Sequence, residues 1–289
     1  MADSKKILIT GTSAGFGFDA AKALAEAGHT VYATMRGVDG KNAGKAQDLA
    51  EFAKKGGCDV HVLELDVTDE TSVDRAVDKA VELGGIDILI NNAGMGAAGV
   101  QESFTLDQVH TVFDVNVFGV LRMNRAVLPH FRDRGSGVIV FLSSGLGRLV
   151  FPFLGPYTAT KFAIEALAQT ASYELEPLGI RCVIVQPGAY GTSFLQNAVQ
   201  PADGDRLSGY GPVKNMLKGF FGALEARVRA GQMGDPKEVV EALVEIAGAD
   251  PAALPSRRPV GADVSDPVTA LNRFSDQIQN QVLKARGLK

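Results

Sequence analysis

The sequence predicts a doubly wound α/β fold, in which helices cover both faces of a parallel sheet. Short apolar runs rich in β-branched residues alternate with amphipathic segments, and they fall at residues 6–10, 29–35, 60–65, 86–90, 138–142, 180–186 and 258–261. This alternation requires parallel strands joined by right-handed crossovers. The first run leads directly into a glycine-rich turn and then a helix, which is the context of phosphate-binding loops. No internal repeat is visible, so we expect one domain across residues 1–289.

Composition excludes several classes of function. Of the 289 residues, 46% are hydrophobic and 21% charged, and the net charge is -4 with scattered Lys and Arg, which argues against a nucleic-acid partner. The two cysteines, Cys58 and Cys182, lack CxxC or histidine spacing, so we predict neither a disulfide framework nor a metal site. Neither a signal peptide nor an apolar window of about 18 residues is present, which predicts a soluble cytoplasmic protein without a membrane span.

The glycine-rich turn follows the first strand as TGTSAGFG. Its glycines, Gly11, Gly15 and Gly17, have the spacing G-x-x-x-G-x-G. Glycine suits a tight turn and lets backbone approach a pyrophosphate, while the N–H groups of the next helix attract anionic oxygen. We therefore predict a dinucleotide phosphate site here; the alternative is a strand-to-helix turn without a ligand.

The end of the second strand selects the cofactor. An acidic residue there binds the adenine ribose hydroxyls of NAD, whereas an arginine pairs with the 2′-phosphate of NADP. The residue present is Arg36, which favours NADP(H). Asp39 lies three residues further on and leaves NAD(H) open, and Ala14 stands where a second basic residue would strengthen the case for NADP. The alternative role for Arg36 is a solvated loop arginine.

Polar residues also follow later strands. Asp66 either accepts a hydrogen bond from the adenine amino group or, with Thr68 and Asp69, caps the next helix. The segment 91–94, NNAG, has small residues that let backbone lie against a flat ring; a simple turn is the alternative. Asn116 lies between two helical segments, where asparagine either interrupts the helix or makes a specific hydrogen bond.

The most informative stretch runs from residue 143 to 161. Ser144 ends an apolar strand, and Tyr157 and Lys161 are four residues apart, so they share one face of a helix. A fixed cation near a phenol favours the phenolate, which makes proton exchange near neutral pH feasible. A hydroxyl at the strand end can hold a substrate oxygen beside the tyrosine. Alternatively, the pair is a half-buried aromatic beside a solvated lysine.

Residues 189–234 interrupt the repeating pattern with aromatic and aliphatic residues among glycines. Such an insertion at the ligand end of a sheet predicts a helical lid over an apolar substrate. The alternative is a helical pair that covers core or a dimer surface. Residues 235–289 contain a helix, the last strand and a C-terminal helix that packs on a neighbouring subunit or on the lid. The apolar lid residues are Tyr190, Phe194, Leu195, Met216, Leu217, Phe220, Phe221 and Leu224.

Taken together, these motifs resemble the short-chain dehydrogenase/reductase family across residues 5 to 262. The resemblance rests on TGTSAGFG, NNAG, Asn116 in DVNVFG, Ser144, YTATK and Pro187-Gly188. It implies a Rossmann-type fold with a dinucleotide-binding core at residues 5–188. It further implies that Tyr157 is the general acid/base, Ser144 polarises the carbonyl, Lys161 binds the nicotinamide ribose and lowers the tyrosine pKa, and Asn116 anchors a water.

The resemblance is strongest with the 17β-hydroxysteroid and retinol dehydrogenase branch, through YATMRG, RMNRAVLP and RGSG. It implies interconversion of a ketone or aldehyde with an alcohol, on a bulky apolar substrate, in a homodimer or homotetramer. Rival interpretations are an NAD-dependent alcohol dehydrogenase and a non-catalytic dinucleotide sensor. The predicted cofactor contacts are Gly11, Ser13, Gly15, Phe16, Gly17, Arg36, Asp66, Val67, Asn92, Ala93, Gly94, Tyr157, Lys161, Pro187, Gly188, Tyr190 and Thr192.

Overall fold

A computed structural model describes residues 4–191, 194 and 197–288. Within them, seven strands form one sheet in the order β3-β2-β1-β4-β5-β6-β7, and every neighbouring pair is parallel. The predicted doubly wound fold is confirmed. The strands are β1 Lys6–Thr10, β2 Thr30–Met35, β3 Val60–Glu64, β4 Ile88–Asn91, β5 Gly137–Leu142, β6 Ile180–Pro187 and β7 Arg257–Val260.

Helices cover both faces of the sheet, and alternate residues of each strand point to opposite faces. Ile7 and Ile9 of β1 enter one apolar core, and Leu8 enters the other. The helices are α1 Gly15–Glu26, α2 Ala43–Gly56, α3 Glu70–Glu82, α4 Leu106–Phe113, α5 Gly119–Arg134, α6 Gly155–Leu175, α7 Gly204–Ser208, α8 Val213–Arg229, α9 Lys237–Gly248 and α10 Ser265–Ala285.

The strand order reverses between β1 and β4. The chain builds β2 and β3 outward on one side of β1, then returns to place β4 to β7 on the other side. Open α/β sheets bind their ligands at the carboxyl ends of the strands beside such a reversal. The glycine turn after β1 and the segment 92–94 after β4 therefore lie together at this crevice.

At Asn116, where the sequence predicts an interruption or a specific hydrogen bond, the structure shows a local change of helix type. The segment Asp114–Phe118 is a π-helical turn that joins α4 directly to α5. One extra residue per turn rotates the Asn116 side chain inward, where it is almost fully buried. The asparagine therefore widens a continuous helix at a specific hydrogen-bonding site.

The predicted insertion at 189–234 contains α7 and α8, and none of the residues of α8 is fully buried. By contrast, α9 contributes Val239, Leu243 and Ile246 to the core beside α1. Within the described ranges, every helix is too short or too polar to cross a membrane. The division into 5–188, 189–234 and 235–289 stays a prediction.

Candidate active site

A cavity of about 1110 Å³ occupies the crevice at the carboxyl ends of the strands. Its walls come from the loops after β1 to β6, from the start of α6 and from the face of α8. It thus joins the predicted dinucleotide site to the predicted catalytic residues and the lid. The predicted residues that line it are Gly11, Ser13, Gly15, Phe16, Arg36, Asp66, Val67, Asn92, Ala93, Gly94, Ser144, Tyr157, Lys161, Pro187, Gly188 and Tyr190.

Two of the predicted site residues that the structure describes, Gly17 and Asn116, do not line this cavity. Gly17 is buried in α1, where a Cβ would overlap the Gly11 carbonyl and the Asn92 side chain, so its role is close packing of the helix against the sheet. Asn116 lies behind the wall, bonded to backbone. Thr192 lies outside the described residues, as does Leu195 of the predicted lid.

The glycine loop fits a dinucleotide phosphate. Gly11 and Gly15 have φ values of 73° and 57°, which favour glycine, and a Cβ on Gly11 would lie 2.9 Å from the Cα of Ala93. The first turn of α1 holds no acidic residue, and its N-cap residue, Ala14, makes no side-chain capping bond. The N–H groups and positive end of the helix dipole therefore face the cavity, which is the arrangement that binds anionic oxygen.

At the adenine end of the crevice, Arg36 extends from the end of β2 and its guanidinium lies 3.6 Å from the carboxylate of Asp66. Asp66 also accepts bonds from the Thr68 N–H and hydroxyl, at 2.9 and 2.7 Å. Burial raises the pKa of Asp66, but the bonds from Thr68 and the charge of Arg36 outweigh burial and lower it below its ordinary value. Asp69 caps α3, so Asp66 is left to face the cavity.

Lys41 is a second basic residue at this end, and sequence reasoning missed it. The loop after β2 turns back because Gly37 has a φ of 61° and its carbonyl accepts bonds from Gly40 and Asn42. The Asn42 amide also donates to the Arg36 carbonyl, at 2.6 Å. Lys41 is thereby brought into the cavity lining beside Arg36, whereas Asp39 is exposed and does not line it.

The predicted catalytic side chains meet at the centre of the cavity. Tyr157 and Lys161 are both 8% exposed, and the Lys161 ammonium lies 5.6 Å from the centre of the Tyr157 ring. That ammonium donates to the carbonyl of Leu142 at 2.7 Å, which ties α6 to the end of β5. The Ser144 hydroxyl accepts from the Leu146 N–H at 3.1 Å, donates to the Pro187 carbonyl at 3.4 Å and lies beside the Tyr157 phenol, whose pKa it lowers. Ser144 thus connects the ends of β5 and β6 next to the tyrosine.

Burial dominates the acid–base properties of these groups. It raises the pKa of Tyr157 to about 12, against a smaller lowering by the bond with Ser144. It lowers the pKa of Lys161 to about 8, partly offset by the negative charge of Glu165. Burial of the phenol is thus the largest influence on its pKa. The lowering of the tyrosine pKa by Lys161 that the family resemblance implies stays a prediction.

Asn116 supports this centre from behind. Its carbonyl oxygen accepts from the Met95 N–H at 2.8 Å, and its amide donates to the Met95 carbonyl at 2.9 Å and to the Thr160 hydroxyl at 3.0 Å. The asparagine therefore fastens the loop after β4 to the turn of α6 between Tyr157 and Lys161. The water-anchoring role implied by the family resemblance stays a prediction.

The other end of the cavity is apolar and is closed by the lid. Phe194 packs against the Tyr157 ring with centroids 5.1 Å apart, and Phe220 of α8 packs against Phe153 at 5.7 Å. Phe153 has a φ of 67°, an uncommon conformation for a residue with a side chain, which holds its ring against the lid. Ala223, Leu224 and Arg227 of α8 complete this wall.

A sequence model described as short chain dehydrogenase matches residues 5–203. The chain belongs to the short-chain dehydrogenase family. It is accordingly an oxidoreductase of the class that acts on CH–OH groups with NAD(P), and the seven-stranded sheet with its crevice is the fold of this family.

Two curated relatives extend the comparison. The short-chain dehydrogenase described here is 41% identical over 192 residues to 3-ketodihydrosphingosine reductase of Bacteroides thetaiotaomicron, with 66% of each chain covered. It is 34% identical over 259 residues to 17-beta-hydroxysteroid dehydrogenase type 1 of Mus musculus, covering 87% of this chain and 73% of that protein. The predicted resemblance to hydroxysteroid dehydrogenases is confirmed, because a protein of that name is among the relatives of this chain.

Solved structures agree with this assignment. A short-chain dehydrogenase from Streptomyces avermitilis matches with a TM-score of 0.75 and 30% identity over 99% of both chains. A gluconate 5-dehydrogenase from Burkholderia cenocepacia, in complex with NADP and tartrate, matches with a TM-score of 0.73 and 28% identity, covering 91% of this chain and 96% of that chain. A 3-ketoacyl-(acyl-carrier-protein) reductase from Brucella melitensis, complexed with NADH, matches with a TM-score of 0.73 and 26% identity, covering 90% of this chain and 98% of that chain. Similar folds therefore accommodate either nicotinamide cofactor.

Proposed function

We propose that this short-chain dehydrogenase uses NADP(H) to interconvert a bulky apolar ketone or aldehyde with its alcohol, and that Tyr157 is its general acid/base. One observation carries the proposal. The buried phenol of Tyr157, beside Ser144 and Lys161, lies between a phosphate-binding glycine loop and an apolar cavity end closed by Phe194 and Phe220. A carbonyl group placed there meets a hydrogen-bond donor and a proton donor at once.

Each residue of the site has a separate role in the proposed reaction. NADP(H), when bound, supplies or accepts the hydride. The N–H groups at the start of α1 bind the pyrophosphate, and Lys161 binds the nicotinamide ribose. Ser144 donates a hydrogen bond to the substrate oxygen and orients it, and Tyr157 gives that oxygen a proton in reduction or takes one in oxidation. Phe194 and the apolar lid exclude water from the reacting atoms.

The preference for NADP(H) rests on charge at the adenine end. Arg36 and Lys41 place two cations in the cavity lining where the adenine ribose of a dinucleotide would lie, and both attract a 2′-phosphate. Titration of the protein with NADPH and with NADH tests this part. We expect NADPH to bind at least about tenfold more tightly, a difference of roughly 1.4 kcal/mol. Arg36→Ala should reduce the preference, because Lys41 remains. Tighter binding of NADH by the unaltered protein contradicts it.

The substrate class rests on the lid end of the cavity. Aromatic and aliphatic side chains dominate this end, so burying a large apolar substrate there gains about 25 cal/mol per Å² of apolar surface. The two curated relatives are named for a ketosphingosine and a steroid, both large and mainly apolar compounds. A panel of long-chain and polycyclic ketones is therefore the first set of substrates to test.

Replacement of the tyrosine tests the chemical step. Tyr157→Phe removes the proton donor and leaves the ring that packs against Phe194, so turnover should fall by about 10²–10⁴-fold while NADPH still binds. Tyr173→Phe is the matched control, because Tyr173 lies on the same helix and is 39% exposed. Single-turnover kinetics and cofactor titration on both variants give the result. Near-normal turnover of Tyr157→Phe would sink the assignment.

We also propose that the chain forms a homodimer or homotetramer through α4–α5 and α6. Phe118, in the turn between α4 and α5, and Phe162 of α6 are 51% and 41% exposed, and a subunit contact over these helices would bury both rings. The cytoplasmic location stays a prediction from the sequence.

A further inference from the structure

The C-terminal helix α10 packs on the rest of the molecule through Val268, which is fully buried, and from there on through polar side chains. Asn272 is 6% exposed, and its amide donates to the Gln186 side chain at 2.7 Å. One turn later, the Asp276 carboxylate accepts from Arg257 at 2.9 Å. Arg257 is itself buried between α6 and α10, where it also binds Glu165 at 3.0 Å. The face of α10 toward the protein is thus fixed by specific polar bonds.

The opposite side of α10 is apolar and exposed. It carries Leu271, Phe274, Ile278 and Val282, which we call the α10 stripe, and their exposed fractions are 39%, 65%, 45% and 43%. Their spacing of three, four and four residues places them within an arc of roughly 80° on a helix that turns about 100° per residue. The four side chains therefore form one continuous apolar strip.

This orientation is the reverse of the usual one. A helix on a globular protein normally buries its apolar side and exposes its polar side. Turning α10 to bury the stripe would break the bonds of Asn272 and Asp276 and leave the buried Arg257 with one carboxylate partner fewer, which destabilises polar groups held away from water. The stripe therefore stays outward and is available to a partner.

We propose that the α10 stripe is an interface at which two copies of this chain associate, with the two α10 helices antiparallel. The residues that flank the stripe, Ser275, Gln279 and Gln281, carry no charge, so identical copies do not repel each other along it. The helix is acidic at its start and basic at its end, as Asp266 and Lys284 show. Antiparallel pairing places each acidic end beside the basic end of the other copy, and the helix dipoles also oppose.

The same charges argue against a lipid surface as the occupant. A helix that lies on a membrane presents an apolar face flanked by Lys and Arg and turns its polar face to water. Here the polar face is bonded to the protein, the residues beside the stripe are neutral, and the chain has a net charge of -4, which opposes binding to anionic lipid. A second copy, with its own apolar stripe, fits this surface better.

Assembly mass measured by light scattering and sedimentation velocity tests the proposal. Phe274→Glu and Ile278→Glu each place a charge in the centre of the stripe, and we expect each to halve the mass and raise the dissociation constant by at least about 30-fold. Gln277→Glu is the matched control, because it adds the same charge to an exposed position beside Asp276 but off the stripe. It should leave the mass unchanged.

Two further measurements decide between partners. Asp266→Lys should weaken association, and combining it with Lys284→Asp and Arg286→Asp should restore it. This rescue is expected only for an antiparallel pair, in which the start of one α10 lies beside the end of the other. Sedimentation with vesicles of phosphatidylcholine and phosphatidylserine tests the lipid alternative. If the unaltered protein has the same mass as folded Phe274→Glu and Ile278→Glu, the proposal is overturned. Vesicle binding that Phe274→Glu abolishes, with no change of mass, overturns it in favour of a membrane.

Discussion

The helices α6 and α8 border the same cavity but are held in the protein very differently. In α6, Tyr157, Lys161 and Glu165 are buried, and bonds from the β5 end and from Asn116 fix its first turns. In α8 no residue is fully buried, and Met216 is 62% exposed. The proposed catalytic side chains thus lie on a helix held in the core, whereas the proposed substrate wall on α8 can change with little cost to the fold. Each of the following predictions tests this separation.

After Tyr157→Phe, the largest effect is expected at Ser144, which lies at the buried end of β5 beside that tyrosine. Ser144→Ala removes the donor to the substrate oxygen, so we expect kcat to fall by about 10²–10³-fold while NADPH affinity stays within about threefold. Ser143→Ala is the neighbouring control, because the Ser143 hydroxyl is buried without a hydrogen-bond partner among the described residues. Steady-state kinetics with a ketone substrate measure both. Equal losses in the two variants would show that the strand end as a whole, and not Ser144, sets the rate.

The pH dependence should differ between the two directions of the reaction. Because burial raises the pKa of Tyr157 to about 12, the phenol keeps its proton at neutral pH and is ready to reduce a carbonyl. Alcohol oxidation needs the phenolate, whose fraction grows about tenfold per pH unit below the pKa. We therefore expect kcat/KM for oxidation to rise by up to about 100-fold from pH 7 to 9.

Carbonyl reduction should show no such rise. It should instead decline above pH 8, since burial lowers the pKa of Lys161 to about 8 and its positive charge is lost as the pH increases through that value. Initial rates in both directions at constant ionic strength provide the measurement. A flat oxidation profile between pH 7 and 9 would mean that Tyr157 titrates lower than its burial indicates.

Two leucine-to-alanine substitutions, one in the core on α9 and one in the cavity wall on α8, should separate the effect on stability from the effect on substrate binding. Leu243 in α9 is 1% exposed, so Leu243→Ala should lower the free energy of unfolding by about 2–5 kcal/mol. Leu224 in α8 lines the cavity and is only half-buried, so Leu224→Ala should cost less than about 1 kcal/mol. It should instead raise the KM for a bulky ketone by about tenfold, with kcat little changed.

Urea unfolding and steady-state kinetics on the same preparations check both leucine variants. Met216→Ala is the control within the lid, because that side chain is largely exposed and should change neither quantity. A loss of unfolding free energy in Leu224→Ala as large as in Leu243→Ala would show that α8 is as important to the stability of the fold as the core helix α9.

The smallest effect is expected at Lys41, which is a partly solvated charge. Lys41→Gln should weaken NADPH binding by about fivefold, near 1 kcal/mol, and leave NADH binding unchanged, because only NADPH carries the 2′-phosphate. Lys45→Gln is a suitable control, since Lys45 pairs with Asp48 away from the cavity lining. Parallel titrations at two salt concentrations test it. An equal loss for both cofactors would assign Lys41 to phosphates that they share.

Much of the site was predictable because its signals are local. Tyr157 and Lys161 share a face through helical spacing alone, and Gly11 and Gly15 occupy turns that other residues enter with difficulty. Asn116 was predictable as an irregularity but not as a π-helical turn. Lys41 was missed because its approach to Arg36 depends on the folding back of the intervening loop, and Arg227 because the direction in which α8 faces depends on packing.

The sequence by itself therefore determined the order of strands and helices, the positions of the glycine loop and of the candidate catalytic side chains, and membership of the resembled family, because periodicity, glycine placement and short spacings act within a few residues. Only the tertiary structure decided which charges share the adenine end, that burial is the largest influence on the pKa of Tyr157, and that α10 turns its apolar stripe outward. Those properties arise from burial and from bonds such as Asn272 to Gln186, which join residues 86 positions apart.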